Sequence, residues 1–272
     1  MLKIVVDSGS SIKPDEAKEY GVEILPLKIL IGEDEFLDGV DITSDKFYQL
    51  LSTRKFPKTS LPALEDVREK IEEMTNAGDD VLLITISSGI SGCNNALTHM
   101  FEENKHVRVV DSKLAVGGIR LLVEEARRHL DEPLEIVAQK VEELIPRIKI
   151  LAIPETLEYL MKGGRLSKTE WLIGTVLKIK PVITFRDGKV KVEAKKIGIK
   201  SAMSYICEKT KALGVDTSYP VVASYTLSDK NLKVLMQQAN LHDCKFVYDD
   251  LSFSIASHWG PNAFGFIFVT KE

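Results

Sequence analysis

Three cysteines in 272 residues, Cys93, Cys207 and Cys244, are too few and too widely spaced for a zinc site or a disulfide framework. Apolar runs stop at strand length, far short of the roughly 20 residues that a membrane helix needs, so no stable membrane insertion is expected. Met1-Leu-Lys-Ile-Val-Val6 enters a strand-like run at once, with no charged leader, long apolar stretch or small-residue cleavage site. The expected compartment is the cytoplasm. Excess positive charge is missing too. The 36 Lys and Arg stand against 40 Asp and Glu, with no basic tail or aromatic-basic stripe, which argues against nucleic acid as a partner. No repeat of about 20 to 50 residues is present. With 44% hydrophobic and 28% charged residues, the chain has the balance of a globular protein, enough for one large domain or two ordinary ones.

Short β-rich runs alternate with amphipathic segments in the first half. Leu2–Val6, Val81–Ile86 and Val107–Val110 are apolar, mostly β-branched and closed by polar or glycine residues, which predicts strands. Ser44–Leu51, Leu64–Met74, Val116–Leu130 and Leu134–Ile145 have helical spacing; Leu64, Val67, Ile71 and Met74 mark one helix face. Strands separated by helices predict an α/β unit with a parallel sheet. In the second half, Pro181–Phe185 and Lys189–Ala194 flank Arg186-Asp-Gly188, a hairpin signal. Helices are expected over Ser201–Leu213 and Ser228–Leu241, and strands over Val221–Ser224, Lys245–Tyr248 and Phe264–Val269. This is an α+β pattern. Two domains are expected, an N-terminal α/β domain over 1–150 and a C-terminal α+β domain over 151–272.

Chemistry-bearing residues gather in a few loops. Ile86-Ser-Ser-Gly-Ile-Ser-Gly92 follows a strand and precedes a helix opening at Cys93. A nucleophile elbow needs G-x-S-x-G, and Gly89-Ile-Ser-Gly92 is one residue short. A P-loop needs Lys-Ser or Lys-Thr after its last glycine, and G-x-G-x-x-G is also absent here. A helix N-terminus with serine donors can still hold an anion with few oxygens, or the serines can simply cap the helix. Lys58-Thr-Ser-Leu-Pro62 offers two hydroxyls ahead of a proline, Leu157–Ser167 ends a helix at Gly163-Gly164 and presents Arg165, and Ser257–Ala263 places His258 on a tight turn. Asp7-Ser8 ends the first strand, where ligands of open α/β sheets gather. On residue type alone, a serine hydrolase using Ser91 and His258 and a small-anion-binding regulator both stay open.

Taken in order, these pieces resemble the DegV family of fatty-acid-binding proteins over essentially the whole chain. The motifs are Val5-Val-Asp-Ser8, Leu25-Pro-Leu27, Thr59–Pro62, Ser87–Gly92, Val110-Asp-Ser112, Gly163–Ser167, Leu177–Pro181 with Asp187-Gly188, and His258-Trp-Gly-Pro261. The resemblance implies two α/β-type domains with a long-chain fatty acid between them. It implies that the carboxylate meets Thr59, Ser60 and Ser91, with Ser88 a further hydroxyl of the same loop and Arg165 and His258 near the head group. It further implies a carrier without catalytic residues, cofactor or metal, whose bound acid a separate fatty acid kinase phosphorylates. Three positions depart from the family pattern. Ala63 stands where a serine is usual, Asn262 where a glycine is common, and Ala194–Lys200 has no arginine. A long acyl chain gains about 0.8 kcal/mol per buried methylene, while an unpaired buried carboxylate is very costly, so a site of this kind needs apolar walls and several donors.

Overall fold

A computed structural model of the chain describes residues 1–53, 56–167 and 178–271. The motif residue Leu177 lies outside them. In the first half, strands β1 (Leu2–Asp7), β2 (Val22–Leu25), β6 (Asp80–Thr85) and β7 (Val107–Asp111) form a parallel sheet in the order β2-β1-β6-β7. Successive residues of a strand point to opposite faces, and Val81, Leu82, Leu83 and Ile84 are all fully buried. Both faces of this sheet are therefore covered, as a parallel sheet requires. Helices α3 (Leu64–Asn76), α5 (Gly117–Arg127) and α6 (Leu134–Leu144) pack against β6, while α1 (Pro14–Tyr20) packs on β2 and α4 (Cys93–Met100) on β7.

The expected boundary at 150 falls inside β8 (Ile148–Ile153), which already belongs to the second sheet. That sheet runs β10-β9-β8-β13-β11-β12, with β9 (Ile179–Arg186), β10 (Lys189–Ile197), β11 (Val221–Tyr225), β12 (Phe246–Asp250) and β13 (Phe264–Val269). Only β11 and β12 pair in parallel among these strands. Alternation along β13 explains its placement. Phe264, Phe266 and Phe268 face α8 (Ile199–Leu213) and α9 (Lys230–Ala239), whereas Ile267 and Val269 join the apolar cluster of the first half. The sheet is a shared wall. At Gly117 the start of α5 comes so close to β11 that an added Cβ would stand 2.5 Å from Val222 Cγ1.

A third sheet, β4-β3-β5, was not anticipated. It comprises β3 (Lys28–Ile31), β4 (Asp34–Leu37) and β5 (Lys58–Ser60), all antiparallel. Ile29 and Ile31 pack with Phe47 and Leu51 of α2 (Ser44–Ser52) and with Ala256 of α10 (Phe253–Trp259). Thr59 thus lies on a strand. His258 occupies the last turn of a buried helix rather than a free turn, because Ser252–Gly260 is filled with side chains that pack inward. Asn262, in place of the common glycine, does adopt positive φ (58°), and its Nδ2 donates to Glu155 Oε2 at 2.8 Å.

Arg120 places a buried positive charge where the first half meets Asp249 of the second. Arg120 of α5 is 1% exposed and donates through Nη1 and Nη2 to both carboxylate oxygens of Glu16, at 3.2 and 2.9 Å. Burial raises the Asp249 carboxyl to about 6 although Arg120 opposes it. Among the described residues no helix is long and apolar enough to cross a membrane, and the three cysteines are free thiols.

Arg120 is buried while Glu16 stays partly exposed, so Arg120→Met is expected to lower the unfolding free energy by about 1–3 kcal/mol in urea titrations, the cost of leaving its polar partners unmatched. Asp249 binds its proton more tightly folded than unfolded, so its contribution is present below about pH 4 and is lost as pH rises through 6. The stability of the wild type relative to Asp249→Asn is therefore expected to fall between pH 4 and 7, by up to about 3 kcal/mol. A difference that grows with pH would contradict the assignment.

Candidate functional site

The segments singled out in the sequence converge where the three sheets meet. A cavity of about 290 Å³ is lined by Thr59 and Ser60 of β5, Ser91 of the loop after β6, Arg165 after α7 (Glu158–Lys162), and Ser254 and His258 of α10. Its apolar wall includes Leu27, Ile86, Leu160, Val190, Ile255 and Trp259. Ser88 does not line it. That side chain sits on the other side of the loop, where its N–H donates to Asp111 Oδ1 at 3.1 Å and its hydroxyl meets Lys113 Nζ at 3.4 Å.

The Ser-Gly loop is held by buried acceptors. Asp7, wholly buried at the end of β1, accepts from Gly9 N at 2.9 Å and Ile86 N at 2.7 Å. Burial pushes its carboxyl up to about 6, against those two bonds. Ile90 N and Ser91 N both donate to Ser87 O at 3.1 Å, which turns the chain into α4. From the second half, the β9–β10 turn closes on this loop: Ser87 Oγ donates to Gly188 O at 2.7 Å. A Cβ on Gly89 would collide with that same carbonyl, so glycine is needed for the close approach. Ser91 Oγ accepts from Cys93 N at 3.2 Å. A hydroxyl has one donor and two acceptor sites, so its proton stays available to the cavity.

Thr59 Oγ1 and His258 Nε2 are 2.8 Å apart, joining residues 199 positions distant in the chain. The tautomer follows from the other ring nitrogen. Among the described residues His258 Nδ1 is buried without a hydrogen-bond partner, and a Cβ on Gly163 would run into it, so an α-hydrogen of Gly163 points at Nδ1. A lone pair tolerates a C–H neighbour better than an N–H does. The proton therefore belongs on Nε2, which donates to Thr59, and the Thr59 hydroxyl proton is left to point into the cavity. Burial, helped by Arg165, lowers the ring to about 3. His258 is neutral at physiological pH, and it orients Thr59 rather than supplying charge.

Charge comes from Arg165. Hydrogen bonds Gly163 N→Tyr159 O and Arg165 N→Leu160 O, both 2.8 Å, close α7, and Gly164 takes φ +77° to reverse the chain. This returns the guanidinium to the Ser-Gly loop, where Nε donates to Ile90 O at 2.9 Å and Nη1 donates to Gly163 O. Hydroxyl donors, a guanidinium and an apolar wall suit an amphiphilic anion. Base catalysis is poorly served. The Nε2 of His258 is engaged by Thr59, no carboxylate among the described residues orients Nδ1, and a ring pKa about 3 is far below neutrality. Among the described residues, no group of His, Cys, Asp and Glu could hold a metal ion.

The chain matches the family described as an uncharacterised protein, DegV family, over residues 1–271. It belongs to the DegV family. A DegV domain-containing protein of Caldanaerobacter subterraneus is 33% identical over 99% of each chain. A fatty-acid-binding DegV protein of Thermus thermophilus superposes with a TM-score of 0.89 at 27% identity, covering 99% of both chains. A stearic-acid-binding protein of Eubacterium ventriosum gives 0.87 at 26% identity, covering 100% of this chain and 99% of its own. This DegV chain thus shares its whole architecture with proteins described as fatty-acid-binding. The site residue that sequence reasoning missed is Ser254; its signal was the Ser252–Gly260 stretch, a cap residue and a glycine stop framing one short helix.

The His258 ring is expected to stay neutral down to about pH 4 in ¹⁵N NMR, with its proton on Nε2. Its folded pKa lies below the unfolded value near 6.5, so its share of stability is full above about pH 6.5 and is lost as pH falls towards 3. A ring that titrates near 6.5 would contradict the burial of the neutral form, and a proton found on Nδ1 would overturn the tautomer assignment.

Proposed function

We propose that this protein binds a long-chain fatty acid, with the carboxylate held by the hydroxyls of Thr59 and Ser91 and balanced by Arg165. Ser60, exposed beside Thr59, borders the cavity. The observation that carries the reading is a single cavity that combines those donors with an apolar wall. About a dozen methylenes at roughly 0.8 kcal/mol each offset a typical association cost. Charge-assisted bonds from two hydroxyls and a guanidinium offset the desolvation of the head group. The protein acts as a carrier in the cytoplasm and presents the acid to a separate kinase that phosphorylates the carboxylate. It performs no chemistry on the acid itself, a reading supported by the poor basicity of His258 and its engagement with Thr59.

Native mass spectrometry followed by denaturing extraction tests this. The purified protein is expected to release a fatty acid, and Thr59→Val and Ser91→Ala are each expected to retain it at least tenfold less well, the scale of one lost charge-assisted hydrogen bond. Full retention by both variants would refute the head-group assignment. Aryl-ester turnover abolished by both Ser91→Ala and His258→Ala would establish a hydrolase instead.

A further inference from the structure

Helix α10 brings Ser254, Ile255, His258 and Trp259 to the cavity, yet it is only seven residues long and its own cap residue, Ser252, makes no side-chain capping bond. A helix this short has little intrinsic stability and takes its position from what holds its ends. Its C-terminal end is fixed by Thr226, whose Oγ1 donates to Gly260 O at 2.7 Å. Its N-terminal end is capped from the other half of the chain. Asp38 Oδ1 accepts from Phe253 N at 3.0 Å, a bond between residues 215 positions apart. Oδ2 accepts from Ser8 Oγ at 2.8 Å. Ser8 Oγ in turn accepts from Leu27 N at 3.1 Å, a residue of the cavity wall. Asp38 is 3% exposed.

Resting on the reading of this cavity as a carboxylate site, we propose that Asp38 is the positioning residue for His258: it fixes the rotation and axial place of α10, and so sets the contact between His258 Nε2 and Thr59 Oγ1. One residue of slip along a helix turns a side chain through about 100°, enough to take the ring off Thr59. The site calls for a carboxylate because each oxygen of Asp38 faces a donor, the Phe253 N–H and the Ser8 hydroxyl. An ionised carboxylate accepts from both, whereas an amide of the same shape would set an NH₂ against a donor. A negative group at a helix N-terminus is also favoured by the helix dipole. The carboxylate thus acts on the ligand site through the helix and needs no contact with the ligand.

The test compares wild type, Asp38→Asn and Ser8→Ala, each stripped of lipid, by ¹⁵N NMR of His258, and then measures retention of added palmitic acid. Asp38→Asn is expected to shift the His258 ring resonances, speed exchange of the Nε2 proton and lower retention at least tenfold. Ser8→Ala, which removes one partner of Asp38 and leaves its charge, is expected to change both in the same direction by less, and serves if Asp38→Asn does not fold. Folded variants with unchanged His258 signals would overturn the proposal, whether or not retention falls, because loss of retention alone would mark a merely structural role. The ring signals are read on empty protein. If wild type retains no palmitic acid while Asp38→Asn still shifts the ring, the ligand reading fails and the positioning role stands.

Discussion

Strand β13 sends Phe266 and Phe268 into one apolar layer and Ile267 and Val269 into another. A period of two, written in six residues, makes the second sheet a wall common to both halves of the chain. Because protein interiors are close-packed, neither half can slide against the other without opening voids in both layers. That rigidity lets the polar groups at the junction work. A hydroxyl and an imidazole nearly 200 positions apart meet at 2.8 Å only because the surfaces that carry them are already locked.

The electrostatics of the site are arranged by subtraction. An anion would be met by hydroxyls that each already accept a bond from within the protein, Ser91 from the Cys93 amide and Thr59 from the imidazole N–H. Each hydroxyl is thereby turned into a donor. Asp7 and Asp38 lie buried behind the same elements, and burial raises both carboxyls. Their charge is spent on backbone amides and serines rather than on the cavity. They act as fasteners for the loop and the helix that face the ligand space, which explains how acidic groups can stand close to a site suited to an anion.

Much of this was legible in the sequence, for identifiable reasons. The strands and helices expected from β-branched runs and helical spacings lie within a few residues of those observed, since burial on both faces or on one leaves a periodic trace. However, β2 and β8, each a strand of a large sheet, were not among them. The β3–β4 hairpin escaped because Glu33, Asp34 and Glu35 mask its alternation, although Gly32-Glu33 is a two-residue turn of the expected length. Ser88 and Ser91 could not be told apart by type; only the direction of the turn after Ser87 decides which one meets the cavity. The pairing of Thr59 with His258, and of Asp38 with Phe253, is set by tertiary packing and leaves no local pattern to read.

Order of synthesis adds a consequence to the sheet order. Strand β13 follows every other strand of the second sheet along the chain, yet it sits in the interior between β8 and β11. A nascent chain therefore carries β8 and β11 as unpaired edges until residues 264–269 have emerged, at a stage when α5 has no Ile267 to pack against. Long-range closure of this kind is slow, and open strand edges invite pairing with other chains. For this architecture the vulnerable interval lasts until β13 emerges, and the segment that ends it is also the one that joins the two halves.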